Sequence, residues 1–126
     1  MGSLLCHCNQ GKSNCTNQDH VMIEYFKGPV TVGIDSNHWS FTHYEGGIYR
    51  PKTCSKVHLD HAVLAVGYGV DEDTGEEYYI LKNSWGKDWG EAGYMRMAKT
   101  YGNLCGIATQ ATFPIFSEEI IVPYVP

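Results

Sequence analysis

Two stretches of the chain decide its fold: LDHAVLAVGYG at residues 59–69 and YILKNSWGKDWGEAGY at residues 79–94. The span from His61 to Tyr68 is nearly all apolar, which predicts a strand buried on both faces. The charged segment from Asp71 to Glu77 predicts a hairpin loop, so Tyr78 to Lys82 is expected to return as the antiparallel partner strand.

This hairpin brings two polar side chains together. His61 opens the first strand and Asn83 closes the second, so both are predicted at the same end of the ladder, within hydrogen-bonding reach. An asparagine oxygen that accepts the imidazole N–H fixes the ring and leaves its other nitrogen free to face a nucleophile. A core histidine satisfied by a nearby amide is the ordinary alternative.

The remaining elements extend outward from the hairpin. Gly28-Pro29 ends a predicted helix that begins at Thr16 or Asn17 and runs to Lys27. We also predict strands at Val30 to Ile34, Tyr94 to Met97 and, as an edge, Thr112 to Ile115, and a helical turn at Trp39 to Tyr44. The predicted class is α+β: an antiparallel, β-rich half-barrel with one packed helix.

Composition narrows the function classes. The 126 residues suffice for one domain. The net charge of −5 argues against a nucleic-acid partner, and no apolar run approaches the roughly 18 residues of a membrane span. Five cysteines and the sequon Asn14-Cys15-Thr16 suggest an oxidising compartment, yet the first residues are too short for a signal peptide. We therefore expect the chain to be a piece of something longer.

Several motifs in order resemble the C-terminal half of papain-like cysteine peptidases of the cathepsin L type. The resemblance covers about Val21 to Pro114. It is carried by Asp60-His61-Ala62 with the strand to Gly69, Lys82-Asn83-Ser84-Trp85-Gly86, Trp89-Gly90, Gly93-Tyr94, Gly28-Pro29-Val30, Asp35, Gly46-Gly47-Ile48-Tyr49, Cys105-Gly106-Ile107-Ala108 and Phe113-Pro114.

The resemblance implies a role for each matching residue. His61 matches the histidine that deprotonates the catalytic thiol, and Asn83 matches its orienting partner. Trp85 matches the tryptophan that shields this pair, and Asp60 matches a cleft residue beside the histidine. The positions that match the pocket for the residue before the scissile one are Gly33, Leu59, Ala62 and Gln110.

The resemblance also implies what this sequence lacks. The family's nucleophile lies in a Gly/Ser-Cys-Trp context on another lobe, with an oxyanion glutamine, and neither motif occurs here. Cys6, Cys8 and Cys15 are candidates only by residue type. The chain is thus expected to hydrolyse peptide bonds only if joined to the missing N-terminal lobe. The alternative is a catalytically inactive fragment, or a pseudo-peptidase that binds a peptide, a propeptide or an inhibitor.

Smaller features complete the expectations. Cysteines at positions matching Cys54 and Cys105 form a disulfide in the family, with two buried free thiols as the alternative. No cofactor is expected; Cys6, Cys8, Cys15 and His20 fit no common zinc pattern. We predict a cysteine-containing segment at 1–20, the β-rich lobe at 21–115 and a tail at 116–126. Family resemblance implies a lysosomal or extracellular location.

Overall fold

The computed structural model describes residues 2–7, 28–99 and 102–115, with side chains at 28–99 and 102–112. In these ranges the strands are β1 (Gly2–His7), β2 (Val30–Ile34), β3 (Ile48–Tyr49), β4 (His61–Val70), β5 (Glu77–Lys82), β6 (Tyr94–Ala98) and β7 (Gln110–Ile115). A short helix α1 (Trp39–Thr42) and a 3-10 turn (Leu104–Gly106) accompany them.

All seven strands form one open sheet in the order β1-β7-β2-β4-β5-β6-β3. Each pair is antiparallel except β3 with β6, which is parallel. The papain-like, β-rich lobe predicted from the sequence is confirmed by this architecture. The sequence predicted only antiparallel pairing, and the two-residue strand β3 departs from it.

The hairpin of β4 and β5 forms as predicted, with Ala65 opposite Leu81 and a register shift between Ala65 and Gly67. On its other side β4 pairs with β2, where Val63 lies opposite Val32. β4 is central in the sheet; its first residue His61 pairs with Ile34 of β2, and the ladder with β5 begins at Leu64. This centrality positions the site at one end of the strand.

The prediction that β4 is buried on both faces is wrong. Val66, Tyr68 and Val70 are between 38% and 53% exposed, whereas Val63 and Ala65 are buried. Strand side chains alternate between the two faces, and the described residues cover only one face of β4 fully. The continuous apolar run therefore predicted that β4 is more buried than it is.

The prediction that Thr112 to Ile115 forms an edge is also wrong. The strand β7 lies inside the sheet, because β1 pairs along its whole length from Gly2↔Ile115 to His7↔Gln110. No element had been predicted in the segment that forms β1. A short strand with mixed polar residues has no hydrophobic period that distinguishes it from a loop.

The core lies on the covered face of the sheet. It contains residues from every strand from β2 to β6, from α1 and from the 3-10 turn, among them Val32, Ile34, Phe41, Tyr79, Leu81, Met95, Met97, Leu104 and Ile107. On β6, Met95 and Met97 point inward while Tyr94 and Arg96 point outward, as predicted. The predicted helix to Lys27 and the tail at 116–126 lie outside the described residues. Where the structure is described, no helix is long and apolar enough to cross a membrane.

Candidate active site

His61 and Asn83 meet at the end of the central hairpin, where the sequence places them. The ring nitrogen Nε2 of His61 lies 2.8 Å from Oδ1 of Asn83. His61 is partly buried and Asn83 is buried. The first residue of β4 and the residue after β5 thus share one hydrogen bond at the rim of the sheet.

The backbone fixes which way the Asn83 amide faces. The N–H of Ser84 donates to Oδ1 of Asn83 at 2.8 Å, and a backbone N–H can only donate. The same oxygen faces His61, so Nε2 of His61 must carry the proton that forms this bond. The other ring nitrogen, Nδ1, is then the one able to accept a proton. The buried amide nitrogen Nδ2 of Asn83 has no hydrogen-bond partner among the described residues.

Aromatic rings cover this pair. Trp85 stacks on His61 with centroids 5.1 Å apart and an interplanar angle of 26°. Phe41 of α1 meets both rings edge-on, at 5.9 Å from His61 and 5.4 Å from Trp85. Trp85 itself is 44% exposed. The imidazole therefore has an apolar wall on one side that keeps water from competing for its hydrogen bond.

Trp89 lies next to Trp85, with ring centroids 5.6 Å apart, and is buried. Its indole N–H donates to the carbonyl oxygens of Phe41 and Thr42, both at 3.1 Å. A tryptophan is stable in the protein interior when its indole N–H donates to a buried acceptor. Trp89 thereby fastens α1, and with it Phe41, over the site.

The loop that carries Trp85 and Trp89 is shaped by left-handed residues. Gly90 has φ +59°, and a Cβ there would lie 2.7 Å from the carbonyl oxygen of Tyr94. Only glycine fits such a position. The turn lets the N–H of Asn83 donate to the carbonyl oxygen of Gly93 at 3.1 Å, which holds the asparagine backbone in place.

A polar cluster anchors the far side of this loop. Arg96 pairs with Glu91 through two hydrogen bonds of 2.8 and 2.9 Å, and the hydroxyl of Tyr44 donates to Glu91 at 3.1 Å. The bond from Arg96 lowers the pKa of Glu91. Burial raises the pKa of Tyr44 to about 12, so this hydroxyl remains a donor at neutral pH.

Asp60, the predicted cleft residue beside the histidine, is exposed and already has partners. Its Oδ1 accepts from the backbone N–H of Ser36 at 2.8 Å and from the Ser36 hydroxyl at 2.9 Å. The Asp60 N–H donates to the carbonyl oxygen of Ile34 at 3.0 Å. These bonds tie the start of β4 to the end of β2, which is where His61 begins.

The four residues predicted to line a substrate pocket come together. Gly33 lies opposite Ala62 in the pairing of β2 with β4. A Cβ at Gly33 would lie 3.0 Å from Cδ1 of Leu59 and 3.7 Å from Oε1 of Gln110. Ala62 and Gln110 are exposed. The sheet thus presents a shallow apolar patch with one amide at its edge, beside His61.

Asp35 is a functional candidate to which sequence reasoning gave no role beyond membership of a motif. It is buried, and its carboxylate accepts from the N–H of Ser55 at 2.7 Å, from the N–H of Asn37 at 3.1 Å and pairs with His38 at 3.0 Å. Burial alone would raise the pKa of Asp35, but these hydrogen bonds outweigh it and lower the pKa. Asn37 and His38 are neighbours of Asp35 in sequence, but Ser55 lies 20 residues away, so no local pattern indicated that contact.

The predicted disulfide between Cys54 and Cys105 is present, with Cα atoms 5.0 Å apart and a sequence separation of 51. The side chains of Cys6, Cys8, Cys15 and His20 lie outside the described residues. Within 28–99 and 102–112, no group of three or more metal-ligating side chains converges.

Solved structures of the papain fold superpose on this sheet. The chain matches digestive procathepsin L 3 of Tenebrio molitor with a TM-score of 0.69 and 44% identity, covering 78% of this chain and 32% of that one. It matches bromelain from Ananas comosus, solved with the inhibitor E64, with a TM-score of 0.73 and 36% identity, covering 92% and 50%. The fold is therefore the β-rich lobe of a papain-like protein.

Sequence comparison gives the family. The profile of the papain family cysteine proteases matches residues 5–115, and the chain belongs to that family. It is 52% identical to Testin-2 of Mus musculus over 90 residues, and 44% identical to cathepsin L of Sarcophaga peregrina over 120 residues. These alignments cover 70% and 86% of this chain. The chain spans about a quarter to a third of those relatives' own length, 27% and 35%.

Proposed function

We propose that this chain supplies the histidine and asparagine of a papain-type cysteine endopeptidase, and that it hydrolyses peptide bonds when joined to a lobe that carries the nucleophilic cysteine. The hydrogen bond between Nε2 of His61 and Oδ1 of Asn83, covered by Trp85, carries this proposal. It is the one arrangement among the described residues that orients a base and shields it from water.

The orientation of the amide assigns a task to each nitrogen of His61. Nε2 keeps its proton on Asn83 throughout, and Nδ1 takes the proton of the incoming thiol. The thiolate then attacks the peptide carbonyl, and Nδ1 returns the proton to the departing amine. Water, activated at the same nitrogen, hydrolyses the thioester and restores the thiol. No cofactor enters these steps.

The apolar patch beside His61 would bind the substrate side chain that precedes the scissile bond. The missing side chain of Gly33 lets Leu59 lie close to the sheet; Leu59 and Ala62 would supply apolar walls, and Gln110 would add a polar edge. Trp85 would line the leaving-group side of the cleft, and Asp60 would border it. A propeptide or a protein inhibitor would occupy the same cleft, in a lysosomal or extracellular setting.

The tautomer of His61 can be tested on the chain as it is. Long-range ¹H–¹⁵N correlation spectra distinguish a protonated Nε2 from a protonated Nδ1. We expect the neutral His61 ring to carry its proton at Nε2, and Asn83→Ala to give a mixture of tautomers. A predominant Nδ1–H form in the unaltered chain would contradict the assignment.

The activity itself is tested by complementation. The chain is combined with a separately produced N-terminal lobe of a cathepsin L, and cleavage of a fluorogenic peptide and labelling by an epoxysuccinyl probe are measured. We expect both signals, and a loss of about 10²-fold or more with His61→Ala. His58→Ala is the matched control, since it removes an exposed histidine to which the proposal gives no role.

The second candidate is a binding protein without catalysis, favoured by the absence of a Gly/Ser-Cys-Trp motif from this sequence. A complex that forms with the complementing lobe, holds peptide and yet leaves its thiol unreactive would favour this candidate. Labelling that depends on His61 would favour the peptidase.

A further inference from the structure

A cavity of about 540 Å³ lies against the Cys54–Cys105 disulfide, away from the candidate active site. Three of its lining residues are basic: Arg50, Lys52 and Lys56. Leu104 and both cysteines contribute to its walls. In a chain whose net charge is −5, a concave surface with this many cations is a distinct local environment.

The charges that remain free here are those of the two lysines. Arg50 is engaged by a bidentate ion pair with Glu76. No ion pair joins Lys52 or Lys56 to any residue in the described part of the chain, and both are exposed. Two carboxylates of this region are already engaged: that of Glu76 by Arg50, and the buried one of Asp35 by Ser55 and His38.

The two sulfur atoms differ in access. Cys105 is fully buried at 0% exposure, whereas Cys54 is partly exposed. A thiolate attacks the sulfur it can reach, and its rate rises in a positive potential. An attacking group that enters this cavity would therefore meet Cys54 first, in a cavity that Lys52 and Lys56 also line.

We propose that this cavity is a reaction site for small anionic thiols, which form a mixed disulfide at Cys54. The incoming thiolate bonds to Sγ of Cys54, the bond between the two protein sulfurs breaks, and Cys105 leaves as a thiolate that takes a proton from water. A second thiolate attacks the external sulfur of the adduct, forms the oxidised small disulfide and releases Cys54 as a thiolate. Two small thiols are oxidised and the protein disulfide is reduced.

Opening the disulfide would also affect the backbone around Cys105. Asn103, Cys105 and Gly106 all adopt left-handed φ values, of 55°, 51° and 76°. Non-glycine residues stay in that region only when their surroundings hold them there, and the disulfide is one such constraint. Gly106 packs against Leu59, where a Cβ would lie 2.4 Å from Cδ2. Opening the disulfide would thus loosen the wall of the neighbouring apolar patch.

The test compares three thiols of different charge on the folded chain in non-denaturing buffer: 2-mercaptoethanesulfonate, 2-mercaptoethanol and cysteamine. Rates are taken per thiolate and normalised to a neutral model disulfide. Peptide mapping resolves the adduct at Cys54 from any at Cys6, Cys8 or Cys15. We expect the anionic thiol to react roughly three- to tenfold faster than the cationic one at low salt.

Two further measurements isolate the cavity. The double variant Lys52→Gln/Lys56→Gln should bring the rate ratio close to 1, as should about 0.5 M salt. Lys82→Gln/Lys87→Gln, which removes two exposed lysines elsewhere, should keep the ratio. Equal rates for all three thiols, an adduct at Cys105 instead of Cys54, or a ratio unchanged in the first variant would each overturn the proposal. None of these readouts depends on peptidase activity.

Discussion

The candidate catalytic pair and the disulfide loop hold their reactive atoms by opposite means. His61 is held by one hydrogen bond and by the faces and edges of Trp85 and Phe41. Cys105 is held by a covalent bond and by a backbone in left-handed conformations. The first arrangement depends on side-chain packing, which a substitution of one packed side chain can disrupt. The second depends on a tether, the disulfide bond, which substitution of neighbouring side chains leaves intact and which only a chemical reaction breaks.

Asp35 connects the two regions. Its N–H donates to the carbonyl oxygen of Cys105 at 2.9 Å, its carboxylate accepts from Ser55 next to Cys54, and it follows β2, whose end is bonded to Asp60. The tether and the packed site thus share one buried carboxylate. We therefore expect loss of the disulfide to lower the stability of the whole fold and to disturb the geometry of His61 to a smaller extent.

The largest effect is expected from removal of the tether. Cys54→Ser/Cys105→Ser should lower the free energy of unfolding by about 4 kcal/mol, because a closed loop of this length restricts the unfolded chain. The thermal midpoint should fall by about 10 °C or more. Calorimetry measures this, with Cys6→Ser/Cys8→Ser/Cys15→Ser as the matched control. A midpoint indifferent to the first pair would mean that packing alone holds the loop.

A smaller effect is expected from loosening the packed site. Phe41→Leu should cost about 2 kcal/mol, because Phe41 is 1% exposed and the shorter side chain leaves a cavity beside His61. Urea unfolding measures the loss. Trp39→Leu on the same helix is the control: Trp39 is 77% exposed, so its loss should stay within about 0.5 kcal/mol. Equal losses at the two positions would show that α1 is not what supports the site.

Much of this comparison was predictable from local sequence. The hairpin follows from two apolar runs and a charged loop, and a hairpin requires that His61 and Asn83 meet at one end. The alternation of Tyr94, Met95, Arg96 and Met97 was sufficient to assign both faces of β6. These inferences succeed because the period of a strand and the geometry of a hairpin are set by neighbours in sequence.

What the sequence did not reveal depends on distant partners. Trp85 and Trp89 look alike in the motif, yet only Trp89 finds buried carbonyl acceptors, and these belong to α1. The three partners of Asp35 include Ser55, twenty residues away. The pairing of β7 with β1 joins the first and the last described strands of the chain. No local pattern encodes such contacts, since each requires the chain to be already folded.

The carboxylate between the two regions gives a prediction that depends on pH. Asp35→Asn should lower the free energy of unfolding by about 1.5 kcal/mol at pH 7, because two backbone N–H donors and His38 lose a charged acceptor. The pKa of Asp35 is lowered from 3.8 by folding, so its contribution is fully present above that value and disappears as the pH falls through the lowered pKa. The difference between variant and unaltered chain should therefore shrink below about pH 4.

Urea unfolding at pH 7 and at pH 3 measures this difference. Asp88→Asn, at an exposed carboxylate, is the control and should show no comparable change at either pH. A difference for Asp35→Asn that stays constant across both pH values would mean that its geometry matters and its charge does not. In that case the shape of the Asp35 side chain, and not its charge, connects the disulfide loop to the candidate active site.

The smallest effect is expected at the exposed edge of the apolar patch. Gln110 is exposed and no hydrogen bond of its side chain is among those described above, so Gln110→Leu should change the free energy of unfolding by less than about 0.5 kcal/mol. Gly33→Ala is the companion variant, because its new Cβ would lie 3.0 Å from Leu59 and requires that side chain to shift slightly. Urea unfolding of both variants measures whether the patch bears on stability. A loss above about 1 kcal/mol for Gln110→Leu would mean that the patch is part of the support for β7. A null result would mean that the patch can vary while His61 and Asn83 stay fixed, which is the freedom a specificity pocket needs.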